Sequence, residues 1–174
     1  MIYAETERLI LRSWRRDDLP LFAEINRNQE VMKYFPAPLG YEGSEAFYHR
    51  IQEEFKNKGW GLYAVELKSE GRFIGYVGLH EIGFGADFTP GVEIGWRLDS
   101  AYHNQGYATE AAKAVLKMAK ASGMSCLYSF TAKINRPSER VMQKIGMDKI
   151  GEFEHPKLSA GSPLLTHVLY KIEF

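Results

Sequence analysis

The sequence predicts an α/β fold of the α+β kind, with a mixed, mostly antiparallel central sheet of about seven strands and helices on both faces. Three observations predict it. Short apolar runs bounded by Gly, Pro or Asp recur along the chain, as strands do. Two of them, Trp60 to Leu67 and Arg72 to His80, flank the turn Ser69-Glu70-Gly71 and read as an antiparallel hairpin. A third, Val92 to Leu98, runs through a glycine turn into a long amphipathic segment and then another apolar run. That strand–helix–strand unit implies parallel neighbours.

The elements follow in order. Arg8-Leu9-Ile10-Leu11-Arg12 opens the chain as a strand. Asp17-Asp18 caps a helix with Pro20 in its first turn and Leu21, Phe22 and Ile25 on its apolar face. Pro36, Pro38 and Gly40 make a loop of Tyr34 to Tyr41. Ser44 to Lys58 reads as a helix, with Phe47, Ile51 and Phe55 four apart. After the hairpin and the Gly83 to Pro90 loop comes the Val92 strand, then a helix over Gly106 to Ala121. Its small apolar face is Ala108, Ala111, Ala112, Val115 and Ala119, and Gly123 ends it. Ser125 to Thr131 is a strand. Asn135 caps a short helix through Ile145, and strands over Asp148 to Glu154 and Leu165 to Glu173 close the chain. No repeat, low-complexity tract or linker divides it, so residues 1–174 are expected to form one domain.

Charge and composition narrow the function. Twenty-two basic residues balance twenty-two acidic ones, so no global field draws the chain to nucleic acid or to anionic lipid. One cysteine, Cys126, forbids an internal disulfide and suits a reducing compartment. Met1 to Arg12 has no signal-peptide core and no run is long enough to span a bilayer, so the expected location is cytoplasmic. Zinc spacing, a calcium loop and a Walker motif are absent, and the histidines are scattered; no metal is expected.

The chemistry concentrates where His103-Asn104-Gln105-Gly106-Tyr107-Ala108-Thr109-Glu110 follows the Val92 strand. The first turn of a helix has backbone N–H groups without intrahelical partners and a partial positive charge. An anion settles there without a basic side chain. Gly106 allows the tight turn and close ligand approach, and Ala108 keeps that approach clear. Asn135-Arg136-Pro137-Ser138 is a matching downstream element.

With these segments in view, the chain resembles the GNAT acetyltransferase superfamily, most closely its RimJ/RimL-like branch. The resemblance rests on Thr6-Glu7-Arg8-Leu9-Ile10-Leu11-Arg12 with Asp17-Asp18, Gly75-Tyr76-Val77-Gly78-Leu79, Glu93-Ile94-Gly95-Trp96 through Gly106-Tyr107-Ala108-Thr109-Glu110-Ala111, and Asn135-Arg136-Pro137-Ser138 through Gly146-Met147. It implies acetyl-CoA as donor and a sheet splayed between the fourth and fifth strands. His103 to Ala108 (His103, Asn104, Gln105, Gly106, Tyr107, Ala108) would wrap the pyrophosphate, and Thr109 would join the cofactor site. Backbone groups of Trp96, Arg97 and Leu98 would pair with the pantetheine arm like an added strand, and Asn135 would hold the arm from the far side. Relatives often carry Gln or Arg where this chain has His103. Many place a tyrosine acid where this chain has Met142, which cannot donate a proton. The resemblance then implies Ser138 as the group that meets the departing thiolate.

Acetyl transfer to an amine also needs a base. Glu93, on the strand that would flank the acetyl group, is the first candidate; His80 and Glu81 are the second. Side chains alternate along a strand, so register decides whether Glu93 points into the site or to solvent. A backbone N–H near Trp96 would stabilise the oxyanion. The acceptor implied by the resemblance is a protein N-terminal α-amine, with a polyamine, amino acid or aminoglycoside as the small-molecule alternative. A non-catalytic acyl-CoA binding module and a nucleotide-binding domain are the other classes. No nucleic acid or membrane partner is expected, and the chain is expected to be a monomer or homodimer.

Overall fold

The computed structural model describes all 174 residues, Met1–Phe174. The elements are β1 (Ile2–Glu5), β2 (Leu9–Arg12), α1 (Asp18–Arg27), α2 (Gln29–Met32), α3 (Tyr41–Lys58), β3 (Leu62–Leu67), β4 (Arg72–Glu81) and β5 (Val92–Leu98). After a 3₁₀ turn at Ser100–Tyr102 come α4 (Tyr107–Ala121), β6 (Cys126–Ala132), α5 (Arg136–Lys144), β7 (Asp148–Glu154) and β8 (Thr166–Glu173). One sheet runs in the order β1-β2-β3-β4-β5-β6-β8-β7, and only the β5–β6 pair is parallel. It has eight strands where about seven were expected. The extra one is β1, a four-residue edge strand that β2 pairs antiparallel through a bulge. No helix is long and apolar enough to cross a membrane.

Side-chain alternation divides the core between the two faces of this sheet. On one face Leu9, Leu11, Val65, Ile74, Val77, Leu79 and Ile94 pack under α4, whose Ala111, Ala112, Val115 and Ala119 are all buried. Small residues let that helix lie close. On the other face Leu62, Ala64, Phe73 and Tyr76 meet Phe22 and Ile25 of α1 and Ile51 of α3. Trp14 anchors this second core, donating its indole N–H to the Leu62 carbonyl at 2.7 Å. The helix after the Tyr34 loop begins earlier than expected, at Tyr41, because Gly40 rather than Ser44 stands at its cap.

The Asp17-Asp18 pair does not cap α1 as the sequence suggests. Asp17 makes no side-chain cap bond. The Asp18 carboxylate instead takes a two-pronged bond from the Arg12 guanidinium, 2.8 Å on each prong, and a third from the Arg15 N–H at 2.7 Å. Arg12 Nε is held by Glu66 at 2.6 Å. Arg12 and Asp18 are both buried, so each charge depends on the other. Asp18→Asn is expected to lower unfolding stability by about 3 kcal/mol, measured by urea denaturation. A loss below ~0.5 kcal/mol, the usual effect of a surface change, would show that the pair is not a structural anchor.

Candidate active site

The sheet is open at its centre. β5 pairs with β4 over its whole length, from Val92↔Glu81 to Leu98↔Gly75. β6 pairs with β8 over its whole length, from Cys126↔Glu173 to Ala132↔His167. Between β5 and β6 only Glu93↔Tyr128 forms a bridge. Asp99 N–H bonds Ile74 C=O and Ile82 N–H bonds Gly91 C=O, so the odd-numbered residues of β5 turn their backbone toward β4. Ile94, Trp96 and Leu98 therefore turn theirs toward the gap. Ser129 Oγ–H bonds the Ile94 carbonyl at 2.9 Å, and the His103 ring lies 2.8 Å from that of Leu98. Trp96 sits between these two closures with its N–H and C=O facing open space. Of the three backbones expected to meet a pantetheine arm, Trp96 offers both groups. The Leu98 carbonyl is occupied, and that of Arg97 belongs to the β4 ladder.

A cavity of about 690 Å³ occupies the gap and reaches both faces of the sheet. At one end lies the start of α4. Gly106 has φ +82 and no side chain caps the helix, whose first bond runs from Glu110 N–H to Gly106 C=O at 3.0 Å. The N–H groups before Glu110 thus lack intrahelical partners. Asn104, also at positive φ (58), His103, Gly106, Tyr107, Ala108 and Thr109 line the cavity. Gln105 does not: its side-chain amide bonds Ala101 C=O, and its own carbonyl accepts from Arg8.

Across the gap, Asn135 serves as the α5 cap. Its Oδ1 accepts from Ser138 N–H at 3.4 Å, and its Nδ2 donates to Thr131 Oγ1 (2.9 Å) and to Ser138 Oγ (3.2 Å). The Asn135 amide is thus committed locally. Ser138 Oγ accepts that bond and keeps its own O–H free to donate into the cavity it lines. Met142 is buried in the core.

On the α1–α3 face, Glu93 stands directly opposite His80 on adjacent strands, and both line the cavity. The His80 Nδ1 lies 2.7 Å from Glu54 of α3, whose other oxygen accepts from Glu81 N–H at 3.0 Å. Glu54 is nearly buried beneath His80. Glu81 points away to Lys58 at 2.8 Å and does not line the cavity.

The residues 8–148 match the family model for the acetyltransferase (GNAT) domain. This chain belongs to the GNAT acetyltransferase family. It is 33% identical over 157 residues to the uncharacterized N-acetyltransferase YnaD of Bacillus subtilis, covering 88% of this chain and 86% of that protein. A solved GNAT-family acetyltransferase from Bacillus anthracis is 32% identical, with a TM-score of 0.79 over 97% of this chain and 96% of that one. The RimL ribosomal L7/L12 α-N-protein acetyltransferase, solved with coenzyme A, shares the fold at 14% identity, with a TM-score of 0.82 over 100% and 98% of the two chains. The chain is accordingly an acetyl-CoA-dependent acetyltransferase, and an open strand edge, an uncapped helix start and one continuous cavity fit that donor.

Two features of this acetyltransferase escaped sequence reasoning. The first is a brace on the α4 turn. Burial alone would raise the Glu110 carboxyl. Bonds from Thr6 Oγ1 (2.6 Å), Arg8 N–H (2.9 Å) and Arg8 Nε (2.7 Å) outweigh it and hold the group below the usual carboxylate range. The Arg8 guanidinium stacks on Tyr107 at 4.3 Å. The second is the electrostatics of Glu93. Burial, with a smaller push from neighbouring Glu54, carries its carboxyl up to about 7 against the opposing effects of His80 and Lys157. His80 is itself raised, chiefly by its bond to Glu54 against the opposing effect of burial.

A carboxyl whose folded pKa lies above its unfolded value binds the proton more tightly when folded. Its contribution is intact below about 4.5 and is lost as pH rises toward about 7. Glu93→Gln removes that loss. The variant is expected to be more heat-stable than the parent at pH 8, by on the order of 1–3 kcal/mol, with the gain shrinking toward pH 5. Equal melting curves at both pH values would show that Glu93 is freely solvated.

Proposed function

We propose that residues 1–174 act as a single acetyltransferase domain that moves the acetyl group of acetyl-CoA to a primary α-amine by direct attack. The observation that carries this reading is Glu93, a carboxyl raised to about 7 at the cavity wall beside the gap. Bound acetyl-CoA would supply a thioester carbonyl open to an amine. Glu93 takes the proton from the incoming ammonium at its carboxylate oxygen. An α-amine has a pKa of about 7.7–8.0, close to that of Glu93, whereas a lysine amine at about 10.4 is a poor match. The bond to Glu54 raises the His80 imidazole above its ordinary range, and His80 in turn keeps Glu93 from rising further.

The Trp96 N–H, turned into the gap, donates to the oxygen that gains charge. Ser138 Oγ–H donates to the sulfur that leaves, standing in for the tyrosine that Met142 replaces. A thiol of pKa about 8.5 already leaves readily, so a hydrogen bond suffices. The N–H groups of Gly106, Tyr107 and Ala108 hold the diphosphate. The resemblance to the RimJ/RimL-like branch favours a peptide N-terminus as acceptor. The single unpaired Cys126 fits a reducing cytoplasm.

The test is release of coenzyme A thiol in the presence of acetyl-CoA and peptides with free N-termini. The parent kcat/KM is expected to rise with pH through about 7. Glu93→Gln should lose that limb and roughly 10²–10³-fold in kcat. Ser138→Ala should lose about 10-fold in kcat with little change in KM. A Glu93→Gln enzyme with the parental rate and pH profile would refute the assignment of the base.

A further inference from the structure

Arg97 carries a buried charge with no counter-ion. Its side chain leaves β5 on the α1–α3 face, two residues along that face from Glu93, and is 8% exposed. No carboxylate pairs with it. Nη1 donates to Asn26 Oδ1 at 2.8 Å, and Asn26 is in turn fixed by its bond to Ser44 Oγ at 3.0 Å. Phe35, Tyr76 and Phe47 surround the guanidinium at 4.3, 5.5 and 5.7 Å. Nε has no partner at all, the one buried side-chain polar atom in the protein left so. Buried cations are normally paired, and an orphaned donor is costly. Rings and one neutral amide offset only part of that cost.

The unused donors lie on one edge of the guanidinium, Nε and Nη2, since Nη1 is taken. Two parallel N–H groups on a planar fork match the two oxygens of a carboxylate. Arg97 lines the same cavity as Glu93. Between them on that face stands Gly95, where an added Cβ would meet nothing within 4 Å, so the space joining the two side chains is open. Their Cα atoms are four strand residues apart, roughly 13 Å. That span suits a residue-sized ligand whose amine would face Glu93 and whose anion would face Arg97.

We infer that the acceptor carries a carboxylate beside its α-amine, and that Arg97 is the residue that selects it. This rests on the acetyl-transfer reading above and narrows its substrate class. The carboxylate belongs either to the side chain of an N-terminal Asp or Glu or to the free C-terminus of a very short peptide. Bound there, it supplies the counter-ion and the acceptor that Arg97 Nε lacks.

The experiment compares matched acceptors at one acetyl-CoA concentration, reading thiol release. Tripeptide amides beginning with Asp or Asn, and with Glu or Gln, differ by one charge with the α-amine kept. Dialanine as free acid and as amide tests the second source. At least one acidic member is expected to exceed its neutral partner by about 30-fold in kcat/KM, mostly through KM. Arg97→Gln should collapse that ratio toward one, and Arg97→Lys, which keeps charge but loses the fork, should retain a small part of it. If Arg97→Gln does not fold, the ratios of the unaltered enzyme decide. Neutral partners that match or exceed the acidic ones in every pair overturn the inference and leave acetyl transfer standing. No thiol release with any acceptor overturns acetyl transfer and the inference together.

Discussion

Two strands that face each other without pairing govern this molecule. β5 and β6 lie side by side in the middle of an eight-stranded sheet, yet each is fully bonded only to its outer neighbour. Their single bridge at Glu93 and Tyr128 acts as the apex of a wedge. Unpaired backbone in a sheet interior is costly unless something satisfies it. Ser129 and His103 close two of the exposed carbonyls and leave Trp96 between them. What remains at Trp96 is a short stretch of open strand edge in the interior of the protein.

The wedge also solves a problem of placement. The uncapped start of α4 lies on one face of the sheet and the Glu93–His80 pair on the other. A closed sheet would keep them apart. The gap joins them through one cavity, and in the proposed binding mode a long donor held by its diphosphate on the α4 side presents its reactive end on the α1–α3 side. The charges are distributed to match. At the proposed diphosphate end the donors are backbone N–H groups, because Arg8 is engaged with Glu110 and Tyr107. On the α1–α3 side Glu54, His80 and Glu93 stand together, and Arg97 lies four residues along β5 from Glu93. Holding Glu93 there costs stability, and under the proposed reaction it yields a carboxyl matched to an α-amine.

Much of this was legible locally. Gly106 before the small-residue face of α4, the hairpin turn at Gly71 and the Asn135 cap are consecutive-residue signals, and each element formed within a few residues of its expected bounds. The gap was legible only by resemblance, because nothing in either strand says which neighbour it will refuse. β1 was missed because four residues of mixed polarity at a chain start carry too little pattern. The place of Glu54 was hidden for a different reason: its helix face is polar in sequence, and only the docking of α3 against β4 turns that residue under His80. Arg97 escaped in the same way, since its one partner, Asn26, lies 71 residues away. Strand register fixed the side of Glu93, and register follows from the whole sheet.

The most direct measurement is a crystal structure of the protein with coenzyme A. The diphosphate should lie against the N–H groups of Gly106, Tyr107 and Ala108, an amide of the arm should pair with Trp96, and the sulfur should end between Glu93 and Ser138. A diphosphate bound elsewhere, or an arm that leaves the β5–β6 gap empty, would contradict the assignment of that gap.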